Sequence, residues 1–281
     1  MARKIRLRFD SDRVVVRLGV LARPAVLRVP EAQAQINLTQ PGSEGGVTAQ
    51  DSLGSCPTNV YCTPTRGGVL LQQASGGYVW SCTSTVLGVD RAGRNATLTA
   101  GHCFDDPNAP VYAGRTSPEI SGYRLGYRGD RNFAGTADVE EVEWFGNNGG
   151  FDKLNNCLID YSQDCRRVTR SGSGDDFAVG RSVQKSGITT HLTSGSVTRS
   201  SVNVNIDDNG FIVSLADQLE TSACVRPGDS GGPLFSGSTL LGITSAVGGL
   251  DDSGNCTVNT RSYFSKIGNA TAAIGFSPRY S

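Results

Sequence analysis

From about Arg66 to the end, the chain is a succession of short apolar or alternating runs, each stopped by glycine or a polar turn. GGVLLQQ, YVWSCTSTVLGVD and NATLTAGHC lie in one half; FAVGRSVQKSG, SGSVTRSSVNVNI, GFIVSLADQ, TLLGITSAVGG and TRSYFSKIG lie in the other. Runs of this length, rich in Val, Thr and Ser, suit strands and leave no room for long helices. VTRSSVNVNI alternates in its last residues as a half-buried antiparallel strand does. Glycine supplies 36 of 281 residues, nearly double its usual share of about 7%. There are no heptads and no short fixed repeat. A chain this long buries one large core or two smaller ones, and residues 164–176, DCRRVTRSGSGDD, read as a linker inside the strand-rich region. The expected fold is all-β: two antiparallel barrels or sandwiches joined by an exposed connection.

Lys+Arg and Asp+Glu balance at 26 each, which points to neither nucleic acid nor membrane as a partner. The balance hides a basic amino terminus, where eight basic residues face three acidic ones in residues 1–35, a surplus of five. VVVRLGVLARPAVL is interrupted by Arg17 and Arg23, so it is no clean signal peptide. No apolar run approaches the length of a transmembrane helix. Residues 1–55 read as a basic arm, a pro-segment remnant, or residues upstream of the true start. The eight cysteines are even in number, contain no CxxC pair and accompany only two histidines. That usage argues for disulfides over zinc, and so for an exported protein.

Two segments carry chemistry. TLTAGHC (97–103) is an apolar strand that ends in small residues, then His102 and Cys103; ACVRPGDSGGPL (223–234) sets Ser230 between Asp229 and two glycines. A serine hydroxyl becomes a nucleophile when a base takes its proton, and imidazole titrates in the range to do so. Glycines around the serine let the backbone turn tightly, leaving the Gly228 and Ser230 N–H groups to converge on a developing oxyanion, at a few kcal/mol per donor. The other histidine, His191 in GITTHLTSG, lacks such a setting and reads as structural.

Together TAGHC and GDSGGP resemble the trypsin-like (chymotrypsin-fold) serine proteases, and the bacterial alpha-lytic protease and streptogrisin branch in particular. CTPTRGGVLL, VGRSVQKSGITTHLTSGSVTRSSVNVNI, a cysteine six residues before the serine, and GNCTVNTRS carry that likeness over about residues 62–276. The resemblance implies two six-stranded Greek-key barrels with an active site in the cleft between them. The first would span residues 56–170, with an insertion near 146–170, and the second residues 171–281. It implies a Ser-His-Asp triad, a monomer acting on protein or peptide, and no metal or cofactor. It also implies bridges Cys82–Cys103 and Cys224–Cys256, which leaves Cys56–Cys62 and Cys157–Cys165 as neighbouring pairs.

Three aspartates between His102 and Ser230 could orient the imidazole. Asp176 directly precedes FAVGRSV, the expected first strand of the second barrel. Asp160 lies 17 residues before Phe177, too few to finish a strand, turn and cross the linker. Asp138 has 39 and follows a Gly-Thr-Ala turn, so Asp138 is expected, with Asp160 the alternative. Against it, Glu140 and Glu141 stand where relatives carry small or apolar residues. By resemblance, Ser245, Ala246 and Val247 form the wall of the specificity pocket with Val225. Cys224 occupies the position where trypsin-type enzymes carry an aspartate. Small or medium apolar side chains are therefore expected before the scissile bond.

Overall fold

The structure is a computed structural model that describes residues 14–17, 66–113, 123–145, 157–159, 165–208 and 211–280. After a short strand β1 (Val14–Arg17), the first half holds β2 (Leu70–Ser75), β3 (Tyr78–Thr83), β4 (Leu87–Val89), β5 (Asn95–Thr99), β6 (Val111–Ala113), β7 (Tyr123–Ala134) and β8 (Ala137–Trp144). The β2–β3 hairpin turns through Gly76 and Gly77, both at positive φ (59° and 77°), as a tight hairpin turn demands. Its antiparallel pairings run β2–β3, β4–β5, β5–β8, β8–β7, β7–β6 and β6–β2. β3 and β4 are two parts of one bent ribbon. Between them Ser84 N donates to Val69 O and Thr85 N to Leu98 O, so the ribbon bonds a neighbour on each side. The ladder therefore closes into a ring of six ribbons, in the order first, second, third, sixth, fifth, fourth along the chain.

A pair of short strands, β9 (Cys157–Ile159) and β10 (Cys165–Arg167), lies in the expected insertion. The linker is docked. β11 (Arg170–Ser171) runs parallel to β16 (Thr239–Gly248), and Val168 is buried. The second half adds β12 (Ser182–Gly187), β13 (His191–Asp208), β14 (Phe211–Thr221), β15 (Pro233–Ser236) and β17 (Arg261–Lys266). These pair β12–β13, β13–β14, β14–β17, β17–β16, β16–β15 and β15–β12. The ring order is the same as in the first barrel, although the two halves share no visible sequence repeat. In β13 the expected alternation holds: Val202, Val204 and Ile206 are buried, with Asn203 exposed and Asn205 half-buried between them. β1 lies parallel to Val204–Asp207 at that strand's edge.

Each barrel has an apolar core. Leu71, Leu98, Phe104, Val139 and Val142 fill the first. Val183, Leu219, Leu234, Leu241 and Phe264 fill the second. After β17 the chain crosses back. Helix α1 (Ile267–Ile274) sends Ile267, Ala270 and Ile274 into the first core, and ends at Gly275, which takes the left-handed conformation (φ 72°) that closes many helices. Strand β18 (Ser277–Pro278) then pairs with β4. No helix among the described residues is long and apolar enough to cross a membrane.

Candidate active site

His102 follows the end of β5. At Gly101 a Cβ would sit 2.4 Å from Asn132 O and 2.9 Å from Val139 N, so only glycine lets this strand end press against β7 and β8. Cys103 N donates to Ala100 O, turning the chain back, and the Cys82–Cys103 disulfide fixes the turn to β3. His102 is thereby set beside the start of β8. Its backbone N–H donates to Asp138 Oδ1 at 3.0 Å, and its Nδ1 lies 2.7 Å from Asp138 Oδ2. Ser245 Oγ donates to the same Oδ2 at 2.6 Å. Asp138 is fully buried, so these donors replace its lost water. With Nδ1–H directed at the carboxylate, the other ring nitrogen is left as an acceptor, and His102 Nε2 lies 2.9 Å from Ser230 Oγ. Asp176, by contrast, is held well below the usual carboxylate range by Arg170, which grips it at 2.6 and 2.8 Å. Asp160 lies outside the described residues. His191 is exposed at a hairpin turn with φ 57°, apart from this group.

The serine loop follows from its glycines. Gly228 has φ 96°, and a Cβ there would meet Thr189 Oγ1 at 2.5 Å. The Pro227 carbonyl accepts from Thr189 Oγ1, and the Asp229 carbonyl accepts from Gly232 N. In a trans peptide N–H and C=O point oppositely, so the Gly228 and Ser230 N–H groups turn away from those anchors. Asp229 is locked beneath the loop. Its Oδ1 accepts from Thr189 N and Thr190 N, and its Oδ2 from Arg226 N, Thr190 Oγ1 and Lys185 Nζ, the last at 3.0 Å. Lys185 is itself fully buried and also donates to His191 O; burial draws its pKa down against the pull of Asp229. The internal lysine leaves Asp229 paired without any chain terminus. Sequence reasoning passed over Lys185, although its spacing from Val183 put it on the apolar face of the strand.

Of the residues expected to form the pocket, Val225 and Val247 are buried in one apolar cluster, and the Cys224–Cys256 disulfide ties the serine loop to the 250s loop. Ala246 and Val247 bond β17 along one edge. β15 pairs with β16 no further than Ile243, so among the described residues no strand pairs with the opposite edge of residues 245–248. The hydroxyl of Ser245 is spent on Asp138. Cys56–Cys62 and Cys157–Cys165 lie outside the described side chains.

The two glutamates that break the expected pattern are both buried. The oxygens of Glu140 have no hydrogen-bond partner among the described residues, and Arg131 Nε is 4.0 Å away. Desolvation pushes its pKa well up. Glu141 accepts from Asp130 N, and burial raises it to about 7. One oxygen each of Asp90, Glu141 and Glu143 lie within 4.8 Å of one another, the one such acidic cluster among the described residues. The Arg94 guanidinium already pairs with Asp90 and Glu143 there, at 2.6 Å to each, so no metal is assigned.

Residues 80–267 match the trypsin family description. The chain belongs to the trypsin family. This trypsin-family chain is 34% identical over 197 residues to serine protease 2 of Streptomyces fradiae, covering 68% of the chain and 95% of that protein. It is 31% identical over 205 residues to streptogrisin-D of Streptomyces griseus, covering 72% of the chain and 47% of that protein. It is also 40% identical to streptogrisin-A of the same organism over 115 residues, 41% of the chain and 35% of that protein. The chain thus spans a third to a half of the length of these two streptogrisins. Among solved structures, a glutamic-acid-specific serine protease superposes with a TM-score of 0.60 at 26% identity, over 76% of this chain and all of that one.

Proposed function

We propose that this chain is a secreted serine endopeptidase working through an acyl-enzyme. The observation that carries this reading is the unbroken hydrogen-bonded series from Asp138 through His102 to Ser230, at 2.7 and 2.9 Å. Ser230 Oγ attacks the peptide carbonyl while His102 Nε2 takes its proton; His102 then returns that proton to the leaving amine. Asp138 holds the imidazole in the tautomer that accepts from serine and stabilises the imidazolium. The Gly228 and Ser230 N–H groups receive the oxyanion. The unpaired edge of residues 245–248 takes the substrate backbone as an added strand. Val225 and Val247 leave room for small or medium apolar side chains before the scissile bond. The described disulfides support an oxidising compartment, and nothing in this chemistry calls for a metal, cofactor or second subunit.

The decisive test is a fluorophosphonate probe. Wild type should label at one serine, and Ser230→Ala should not. A wild type that fails to label and fails to cleave casein sinks the proposal. Cleavage of a peptide library then tests the pocket, with Ala, Val or Leu expected before the cut; dominance of Arg or Glu overturns that preference.

A further inference from the structure

The backbone that carries Asp138 is held from the other barrel. Asp138 N–H donates to Ser265 Oγ at 2.8 Å, and Ser265 Oγ donates to Gln218 Oε1 at 2.9 Å. Gln218 Nε2 donates to Thr136 O at 3.1 Å and Ala216 O at 2.8 Å. Ala216 N donates to Gly135 O at 2.6 Å. Gln218 and Ser265 are fully buried, on β14 and β17. The Gln218 amide has one chemically sensible orientation, because flipping it would face its oxygen toward two carbonyls. The loop of β14 that delivers these groups is itself pinned. Asp217 sits in the left-handed region (φ 55°), with Lys266 Nζ at 2.5 Å and Asn269 Nδ2 at 3.0 Å on its carboxylate.

We propose that Gln218 and Ser265 are positioning residues for the triad, setting the Asp138 carboxylate by clasping residues 135–138 from the second barrel. This rests on Asp138 being the residue that orients His102. The geometry reaches beyond ordinary barrel packing in one respect. The clasp touches the turn before Asp138 at three successive hydrogen-bonding points, Gly135 O, Thr136 O and Asp138 N, and so fixes where β8 begins. Ser230 and Ser245 also belong to the second barrel. The clasp therefore ties Asp138 to the same body that carries Ser245, which donates to its carboxylate, and Ser230, the partner of His102.

The test compares Ser265→Ala and Gln218→Met with wild type, hydrolysing an alanyl p-nitroanilide peptide, each normalised to active sites counted by fluorophosphonate. Displacement of the carboxylate should lower kcat by about 10- to 100-fold with KM changed little. It should also move the acid limb of the pH–rate profile, which a purely structural loss would not. In an Asp138→Asn background, measured with an active ester, Ser265→Ala should have almost no further effect. Unchanged kcat per site with a lowered Tm overturns the proposal, as does an equal loss in the Asp138→Asn background. If Ser265→Ala does not fold, Asp217→Gly takes its place, since glycine accepts the left-handed backbone while losing the side-chain tethers; wild-type kcat there overturns the proposal. Failure of the wild type to label marks the failure of the triad reading instead. In that event the low-field Nδ1 proton of His102 is compared by NMR in wild type and Ser265→Ala, and an unmoved resonance overturns the clasp.

Discussion

Glu140 and Glu141 are where sequence expectation and structure part most instructively. Two adjacent glutamates stand where small or apolar residues were expected, and β8 is buried on both faces from Ala137 to Val142. Their raised pKa values mean that the fold prefers them protonated. The sign follows: unfolded glutamates ionise near 4.5 and these later, so their contribution is intact below about pH 4.5 and declines as pH rises through 7. Tm measured in Ser230→Ala, to prevent self-digestion, should fall between pH 5 and pH 8, and a Glu140→Met, Glu141→Gln double variant should flatten that slope. Glu140→Met alone should raise stability at pH 8 by about 1–3 kcal/mol, because it removes an unpartnered buried carboxyl. At Asp138 the expected loss is far larger and catalytic. Asp138→Asn should lower kcat by about 10⁴-fold with Tm little changed, the scale known for that change in such triads.

At the scale of elements, the serine loop depends on a strand distant in sequence. Lys185 on β12 and Asp229 form a buried pair, and removing one partner leaves the other charge stranded. Lys185→Met should therefore cost about 3–5 kcal/mol in chemical denaturation. It should also lower kcat more than it raises KM, since Gly228 and Ser230 lose the support beneath their N–H groups. The histidine turn has covalent support as well. The Cys82–Cys103 link closes a loop of 21 residues, and opening it should cost about 3 kcal/mol. The period-two pattern of β13 was legible because one of its faces meets water. β8 read as a strand after its Gly-Thr-Ala turn, but that both its faces are covered was not legible, because a strand covered on both faces has no exposed side to mark.

At the scale of the molecule, the first barrel is completed by the last residues of the chain. Ile267, Ala270, Ile274 and Phe276 enter its core, so an expression product ending at Lys266 should expose that core and fail to give soluble, probe-reactive protein. Two rings with one pairing order also arise from halves that share no visible repeat. Strand number and turn positions could be counted from glycines and short runs, but pairing order is a matter of which edges meet across long loops. The serine and histidine were legible because their chemistry needs small residues on either side: Gly228, Gly231 and Gly232 at the oxyanion turn, Ala100 and Gly101 at the strand end. Chain length and the Gly-Thr-Ala turn before a strand then favoured Asp138 over Asp160. Local sequence names no partner for Lys185, Gln218, Ser265 or the hydroxyl of Ser245 turned onto Asp138, because each acts on a residue between 44 and 127 positions away. Such partners are chosen by barrel closure and by the demand that every buried polar group be met, and only the tertiary structure decides them.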